Sequence, residues 1–371
     1  MSETKPKHIV IDARIRRSST GRYTDRLVEH LQKIDHENRY TILVEPDDNW
    51  QTTNENFVTI PCRYKQFSFN PFEQIGFAWQ LYRLKADLVH FTMTQQPIMF
   101  FGNIVTTTHD LTMLRFVRPK GTLLPIYWLK MLGYRFLFWQ AHKKSQIVIV
   151  PTNFVQEDLA KYHPFTQDKS VVTYEASEPP LKTKAEAPEG APKEFLLYVG
   201  TSFPHKNINR LVDAMVKLHS KYPDMQLLLA GKKEYYYDLL DQYIAETGSE
   251  AYVKPLGFVS DAELKWLYQN AKAYVFPSLS EGFGLPGLEA MAHGCPVISS
   301  NATCLPEVYG DAAHYFDPLD VDDMTQKISE VIDSKSLREE LVKKGTDQLV
   351  HYSWEKMASE THSIYASTLH P

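Results

Sequence analysis

Short, mainly apolar runs alternate with longer helical patterns along nearly the whole sequence, and this alternation restricts the folds open to the chain. Such runs occur at 8–13, 40–45, 86–91, 103–110 and 145–152. A strand covered by helices on both faces is apolar along its length, and the strands of open parallel sheets are covered in this way. The sequence therefore predicts an α/β fold built on parallel sheets.

The alternation stops once, between residues 176 and 194, where four prolines and several charges replace it. That composition is typical of an interdomain linker. A chain of 371 residues is long for one core and suits two domains. We predict an amino-terminal domain at 1–178, a linker at 179–193, a carboxyl-terminal domain at 194–352, and a last helix at 353–371, capped by Ser353, that returns to the first domain.

Composition argues against several classes of protein. A formal charge of −5 disfavours a nucleic-acid-binding protein. Three cysteines without metal-ligand spacing predict reduced thiols and a cytoplasmic location. The start of the chain has no apolar stretch typical of a signal peptide, and Lys130 and Arg135 interrupt the most apolar helical pattern. We therefore expect no membrane span.

The stretch 278–300 places two carboxylates around a glycine-rich turn between a strand and a helix. Ligands of open parallel sheets bind at such turns. Pro286 favours a helix start, so Glu281 falls in the loop and Glu289 one turn into the helix. Glycines and helix amides suit a phosphate, and carboxylates suit sugar hydroxyls. The stretch predicts a phosphate site flanked by sugars, although Glu289 alone is equally typical of a charge at a helix N-terminus.

Three other strand-to-helix turns carry candidate groups. Lys206 precedes a helix for which Asn207 or Asn209 is the expected cap. A lysine there opposes the helix dipole, so a bound anion or full solvation would explain it. His109 ends a strand, where a satisfied buried histidine is the commoner arrangement. Gly21 stands alone before a helix without the GxGxxG pattern, which is a weak signal.

These segments resemble the retaining nucleotide-sugar glycosyltransferases of the GT-B fold, in particular the mannosyltransferase-like subgroup of family 4. SEGFGLPGLEAMAHGCPVISS carries that family's two glutamates with seven residues between them, and YVGTSFPHKNINRLVDA, TTTHDLTMLRF and ADLVHF extend the resemblance over nearly the whole chain. The resemblance implies two Rossmann-like domains facing across a cleft. It also implies that the donor lies mostly on the carboxyl-terminal domain and that the last helix crosses back to the first.

The same resemblance assigns a role to each site residue. Glu281 would position the donor sugar by its hydroxyls, and Glu289 would hold the ribose. Lys206 would neutralise the diphosphate, and His109 would contact a hydroxyl of the transferred sugar. The stretch from Gly257 to Val259 would line the nucleobase. His109 and Glu281 are thus the candidate catalytic residues, and further donor contacts come from Gly21, Thr201, Ser202, Val259, Gly282, Phe283, Gly284 and Leu285.

Two positions depart from the family pattern. Thr201 and Ser202 follow Gly200 where many members have an arginine, so hydroxyl and backbone donors must replace it. The glycine-rich loop after the first strand is reduced to Gly21. We find no DxD motif or histidine cluster for a metal, and the acidic pairs at 47–48 and 322–323 are expected in solvated loops. Lys206 and helix amides would stabilise the leaving diphosphate without metal or cofactor.

Donor and acceptor follow from finer similarities. FNPFEQ and the HDL element favour GDP-mannose over UDP-glucose and dTDP-rhamnose, with a glycan or lipid-linked acceptor. Basic and aromatic residues at 14–22 and 67–85 suit peripheral contact with the inner face of a membrane, although core packing is the commoner role of such aromatics. A phosphorylase, a nucleotide-sugar epimerase and a catalytically silent donor-binding subunit are the alternatives.

Overall fold

The computed structural model describes residues 5–18, 20–66, 70–116 and 123–370. These residues form two compact units. The first contains the described residues up to Leu114, those from 123 to 175, and the chain after Ser353; the second contains Arg115, Phe116 and 176–352. The chain therefore passes from the first unit to the second after Glu175, slightly before the predicted boundary at 178.

The first unit is built on a parallel sheet. Its strands are β1 (His8–Asp12), β2 (Arg39–Val44), β3 (Phe57–Pro61), β4 (Leu88–Phe91), β5 (Ile104–Thr107), β6 (Ile147–Val150) and β7 (Ser170–Val172). They lie side by side in the order β3-β2-β1-β4-β5-β6-β7. The order reverses direction between β1 and β4, as in doubly wound folds, in which the carboxyl ends of the strands bind ligands.

Five helices connect these strands: α1 (Gly21–Ile34), α2 (Pro71–Leu84), α3 (Thr112–Arg115), α4 (Leu124–Lys144) and α5 (Asn153–Tyr162). The side of α2 that carries Phe77 and Leu81 packs on Val10 and Val89 of the sheet. Only the last part of α4 packs in the same way, through Phe138. Most of α4 therefore lies outside the core.

The second unit repeats this plan with β8 (Phe195–Val199), β9 (Gln226–Ala230), β10 (Val253–Gly257), β11 (Ala273–Phe276), β12 (Val297–Ser300) and β13 (Ala313–Phe316). They are parallel and lie in the order β10-β9-β8-β11-β12-β13. The helices are α6 (Ile208–His219), α7 (Tyr235–Glu246), α8 (Asp261–Asn270), α9 (Leu285–Ala292), α10 (Leu305–Tyr309), α11 (Val321–Asp333) and α12 (Lys335–Leu349). The predicted α/β fold with two parallel-sheet, Rossmann-like domains is confirmed.

The segment predicted as a linker lies against the second unit. The Lys265 ammonium donates to the carbonyls of Leu181 and Thr183 at 2.7 and 3.0 Å, and the Glu186 amide donates to the carbonyl of Ala262. Proline-rich chain without secondary structure can thus be held by side chains and loop carbonyls of its own unit.

The last helix, α13 (Trp354–Leu369), belongs to the first unit, where it packs against α1. Ser353 is its N-cap, because the side chain accepts a hydrogen bond from the Lys356 amide. Tyr365 hydrogen bonds to His90 Nδ1 at 2.6 Å, and His362 Nε2 lies 3.0 Å from Asp35 Oδ2. These polar contacts attach α13 to β4 and to the end of α1.

Cys62, Cys295 and Cys304 are buried free thiols. Burial raises the pKa of Cys62 to about 11 and that of Cys295 to about 12, so both stay protonated at neutral pH. Within the described ranges, every helix is too short or too polar to cross a membrane.

Candidate active site

The loop that follows β11 leads directly into α9 at the carboxyl edge of the second sheet. Glu281 lies in this loop, and Glu289 lies one turn into α9, which begins at Leu285 with Pro286 in its first turn. Both positions are those predicted from the sequence. The backbone turns at Gly284, whose φ of 93° is in the left-handed region that favours glycine.

The structure brings Lys206 and Glu281 together. Lys206 Nζ lies 2.6 Å from Glu281 Oε1, and the side chains are 15% and 13% exposed. Ser278 Oγ donates to the same carboxylate oxygen at 2.5 Å, and the Glu281 amide donates to Thr303 Oγ1 at 3.2 Å. The Lys206 ammonium also lies 5.4 Å from the centre of the Phe276 ring. A cation and a carboxylate, both partly open to solvent, thus share this edge of the sheet.

The turn that carries Lys206 differs from the prediction in one respect. Asn207 occupies the N-cap position of α6, but its side chain does not cap the helix. Its Nδ2 donates to the carbonyls of Pro277 and Pro318, and its Oδ1 accepts from Arg210. With a φ of 60°, Asn207 instead ties the turn to the start of the Glu281 loop. The predicted capping role is therefore wrong.

The glycines of the Glu281 loop have a packing role that the sequence did not reveal. A Cβ atom on Gly284 would lie 2.6 Å from the Tyr309 hydroxyl oxygen, and one on Gly287 would lie 2.4 Å from it. The Tyr309 hydroxyl donates to the carbonyl of Gly284 at 2.5 Å. Phe283 is buried and contacts Tyr352 edge-on. Close packing under the loop therefore accounts for these residues without a ligand.

Other predicted donor contacts lie at the ends of β8 and β10. Thr201 and Ser202 are half-buried after Gly200, and the Thr201 carbonyl accepts from the Tyr198 hydroxyl at 2.7 Å. Val259 is half-buried after β10. Its neighbour Phe258 is 84% exposed, which makes it an aromatic side chain available to a ligand base.

The first unit contains the other two predicted residues, His109 and Gly21. His109 is buried after β5, with Nδ1 3.0 Å from Glu175 Oε1 and Nε2 3.0 Å from the Thr92 carbonyl oxygen. Burial lowers the pKa of His109, but the hydrogen bond and charge of Glu175 outweigh it, so that the pKa is raised overall. A Cβ atom on Gly21 would lie 1.9 Å from the Arg16 carbonyl oxygen, so packing alone requires a glycine there.

Two family models match the chain. The model described as "Glycosyltransferase Family 4" matches residues 20–176, and "Glycosyl transferases group 1" matches residues 182–348.

The chain belongs to the family 4 glycosyltransferases of the GT-B fold.

Curated relatives in this family include mannosyltransferases. O-antigen chain mannosyltransferase B of Escherichia coli is 39% identical over 175 residues, which are 46% of this chain and 45% of that protein. O-antigen chain mannosyltransferase RfbU of Salmonella typhimurium is 31% identical over 228 residues, which are 61% of this chain and 60% of that protein. The chain thus spans about half the length of these curated relatives.

Solved structures share the GT-B fold over the whole chain. Sucrose-phosphate synthase from Thermosynechococcus elongatus has a TM-score of 0.75 at 18% identity, covering 97% of this chain and 98% of that one. Anabaena HepE, solved with UDP and glucose, has a TM-score of 0.71 at 16% identity, covering 98% and 100%. At such identities the likeness establishes the fold.

Among the described residues of this family member, no group of three or more histidine, cysteine or acidic side chains is arranged to hold a metal. Asp47 and Asp48 pair with Arg17 and Arg16. The pair at 322–323 lies in the first turn of α11 rather than in a solvated loop, because Asp320 caps that helix. The sequence-based expectation for this pair is therefore wrong.

Sequence reasoning missed Glu175 and Tyr309, whereas Phe258 lies in the stretch from Gly257 to Val259 that was predicted to line the nucleobase. Glu175 lies 66 positions from His109, and Tyr309 lies 25 positions from Gly284, so no local pattern connects the members of either pair. The predicted roles of the other site residues stay predictions.

Proposed function

We propose that the protein is a retaining, metal-independent glycosyltransferase that moves mannose from GDP-mannose to a glycan or lipid-linked acceptor. The pairing of Lys206 with Glu281 beside the entry to α9 carries this proposal. An ammonium suits a diphosphate, and a carboxylate accepts hydrogen bonds from sugar hydroxyls. The mannosyltransferase names of the curated relatives support mannose as the sugar.

The proposed reaction replaces the bond between the anomeric carbon and the diphosphate oxygen with a bond to the acceptor oxygen on the same face. The acceptor proton passes to the leaving diphosphate. Negative charge grows on that diphosphate as the bond breaks, and Lys206 would stabilise it most when the charge is largest. Glu281 would orient the sugar, Glu289 would hold the ribose, and neither a metal nor a cofactor would be needed.

Donor binding would separate the ion pair and give each residue a partner on the donor. Lys206 would turn from Glu281 to the diphosphate, and the freed carboxylate would accept hydrogen bonds from the sugar. Ser278 and Thr303 hold Glu281 independently of Lys206, so the loop would keep its place during the exchange. The ion pair would thus neutralise the empty site until the donor arrives.

Thermal unfolding with a panel of nucleotide sugars tests the donor assignment. Donor at 100 times its dissociation constant stabilises a folded protein by about 2.7 kcal/mol. We expect GDP-mannose to raise the unfolding temperature and to label an acceptor glycan with mannose in the presence of EDTA. A shift with UDP-glucose or dTDP-rhamnose alone would overturn the donor assignment, and a shift without transfer would indicate a silent donor-binding subunit.

We also propose that the first unit contacts the inner face of a membrane. The basic segment 14–22 does not support this contact, because acidic side chains neutralise three of its arginines. Arg14 pairs with Asp12, Arg16 pairs with Asp25 and Asp48, and Arg17 pairs with Asp47. Ser19 of that segment and residues 67–69 of the aromatic segment lie outside the described residues. The rest of the aromatic segment forms α2, whose outer side is apolar.

The outer side of α2, the loop 97–101 and the first two-thirds of α4 form one exposed apolar surface. Tyr82 of α2 hydrogen bonds to the backbone of Met99 and Phe101, and Lys144 of α4 donates to the carbonyls of Pro97 and Phe100. The exposed apolar side chains are Phe72, Ile75, Trp79, Tyr82, Met99, Phe101, Leu124, Ile126, Trp128, Leu129, Leu132, Phe136 and Trp139. The expected core packing of the aromatics at 67–85 is wrong for Phe72, Trp79 and Tyr82 and is confirmed for Phe77.

The charges of this apolar surface favour an anionic lipid surface as its partner. Apart from Lys144, which donates to backbone carbonyls, the sequence of α4 contains Lys130, Arg135 and Lys143 and no acidic residue. The Arg83 guanidinium lies 4.5 Å from the centre of the Trp79 ring on α2. Apolar side chains flanked by cations are typical of segments that lie in the interface of anionic bilayers.

Flotation with vesicles of phosphatidylglycerol and phosphatidylcholine tests this contact. We expect Phe72→Glu with Leu129→Glu to abolish flotation with anionic vesicles. Val350→Glu changes an equally exposed apolar residue of the second unit and should have no effect. Equal flotation of the two variants would contradict the proposal. So would a wild-type protein that does not bind lipid but dimerises with increasing concentration, if Phe72→Glu with Leu129→Glu abolishes the dimer.

A further inference from the structure

The ring of His109 faces two hydrogen-bond acceptors. Nδ1 lies 3.0 Å from a carboxylate oxygen of Glu175, and Nε2 lies 3.0 Å from the carbonyl oxygen of Thr92. Neither an ionised carboxylate nor a backbone carbonyl can donate. A neutral imidazole has one N–H and would leave one of these contacts without a proton. Both contacts are satisfied only when the ring carries two protons.

The surroundings of His109 keep water away from this pair. The side chains of His109 and Glu175 are 9% and 7% exposed. Tyr23 of α1 meets the ring edge-on with centroids 5.0 Å apart. His90 of β4 is fully buried, and burial together with the charge of His109 lowers its pKa to about 3, so it is neutral. The charged groups that face His109 are thus Glu175 and the adjacent Asp110.

Glu175 reaches His109 from another part of the sheet edge. It follows β7, at the point where the chain passes from the first unit to the second, whereas His109 follows β5 and Thr92 follows β4. Thr92 in turn donates from Oγ1 to the carbonyl of Asp12, at the end of β1. The ring therefore joins loops from several strands, and its orientation is set from both sides.

We propose that Glu175 is a positioning residue that holds His109 doubly protonated and in a single orientation at the carboxyl edge of the first sheet. This inference rests on the proposed function and on the role in sugar transfer that the family resemblance predicts for His109. His109 is then an imidazolium whose two N–H groups point at Glu175 and at the Thr92 carbonyl. It does not act as a base that titrates near 6.5, the ordinary pKa of histidine.

The experiment compares the wild type with Glu175→Gln, which keeps the shape of the side chain and removes its charge. Nitrogen NMR of protein labelled at histidine reports the protonation of each ring, and His109→Gln identifies the His109 signals by their loss. We expect the wild-type ring to lose its second proton only above pH 6.5, the ordinary pKa of histidine. In Glu175→Gln the ring should lose one proton below pH 6.5.

The pH profile of mannosyl transfer gives a second readout. The rate of Glu175→Gln should fall about tenfold per pH unit above the new pKa of the ring, whereas the wild-type rate should not follow this titration. Glu175→Asp retains the carboxylate and should recover most of the rate at high pH. Glu157→Gln removes an exposed carboxylate on α5 and is the matched control.

Three results would overturn the inference: a wild-type His109 that titrates near 6.5, identical NMR titrations in wild type and Glu175→Gln, or identical pH profiles for the two. If Glu175→Gln does not fold, the wild-type titration alone still tests the inference, because a His109 ring that titrates near 6.5 contradicts it. Failure of the proposed function has a different signature. If no nucleotide sugar supports transfer, the NMR titrations still decide the protonation of His109.

Discussion

The carboxyl edges of the two sheets each hold a buried or half-buried pair of opposite charges, but the pairs are built differently. In the second unit, Lys206 and Glu281 are both candidate ligand-binding groups, and both remain partly open to solvent. In the first unit, His109 pairs with Glu175, and both side chains are nearly inaccessible. A pair that can reach solvent can exchange partners when a ligand binds, whereas a sealed pair keeps its geometry. The same fold thus provides one adjustable and one fixed charged site.

The largest effect should come from the adjustable pair. We expect Lys206→Ala and Glu281→Gln each to lower kcat/KM for mannosyl transfer by about 10² to 10³, because each removes an interaction that is strongest in the transition state. Steady-state kinetics with GDP-mannose measures this. Lys217→Ala, which removes a lysine paired with Asp322 on the surface of the same unit, should leave the rate unchanged. An unchanged rate in Lys206→Ala and Glu281→Gln would contradict the assignment of this pair to ligand binding.

The fixed pair should matter more for stability. Glu175→Ala leaves the buried His109 without its carboxylate, and removing one member of a buried pair costs roughly 3 to 5 kcal/mol. The ring can lose a proton, so we expect about 3 kcal/mol, at the lower end of that range. Glu281→Ala should cost about 1 kcal/mol, because water reaches its partner. Urea unfolding of both variants measures the difference, and equal losses would contradict it.

The loop that holds Glu281 should be sensitive to side chains at Gly284. We expect Gly284→Ala to lower the free energy of unfolding by about 2 kcal/mol, because φ is positive there and the added Cβ meets Tyr309. Tyr309→Phe removes one hydrogen bond and should cost about 1 kcal/mol. Gly294→Ala is the matched control, since its φ of 74° is also positive but nothing lies within 4 Å of the added Cβ. A Gly284→Ala loss no larger than that of Gly294→Ala would show that Tyr309 is not the constraint.

The smallest effect concerns α13 and depends on pH. The hydrogen bond to Asp35 raises the pKa of His362. Burial by itself would raise the pKa of Asp35, but hydrogen bonds from His362 and Tyr40 lower that pKa overall. The contribution of His362 is therefore complete below pH 6.5 and is lost as pH rises through its raised pKa. That of Asp35 is complete above pH 3.8 and is lost as pH falls.

We therefore expect His362→Gln to reduce stability at pH 5.5 and to have little effect at pH 9. Because His362 is about one-third exposed, the loss should be below about 1 kcal/mol. Urea unfolding at the two pH values measures it, with His351→Gln, on the surface of the second unit, as the control. A larger loss of stability at pH 9 than at pH 5.5 would contradict the expected direction of the pH dependence.

Much of the second unit's edge could be predicted from the sequence because the information is local. The apolar strand, the glycine turn and Pro286 lie next to one another, so they place Glu281 in a loop and Glu289 in a helix. The role of Asn207 could not be predicted, because its partners Pro277 and Pro318 are distant in sequence. A residue that can cap a helix can equally bind neighbouring loops, and only packing selects between these partners.

By itself, the sequence determined that the chain forms parallel α/β units and that candidate groups stand at strand-to-helix turns. Both follow from periodicity and from backbone preferences that act over a few residues. Only the tertiary structure decided that Lys206 meets Glu281 and that Glu175 meets His109, since each pair is joined across the sheet edge by strand order. It also decided that α4 exposes its apolar side chains, because a helix that is apolar on all sides carries no signal of which face is covered.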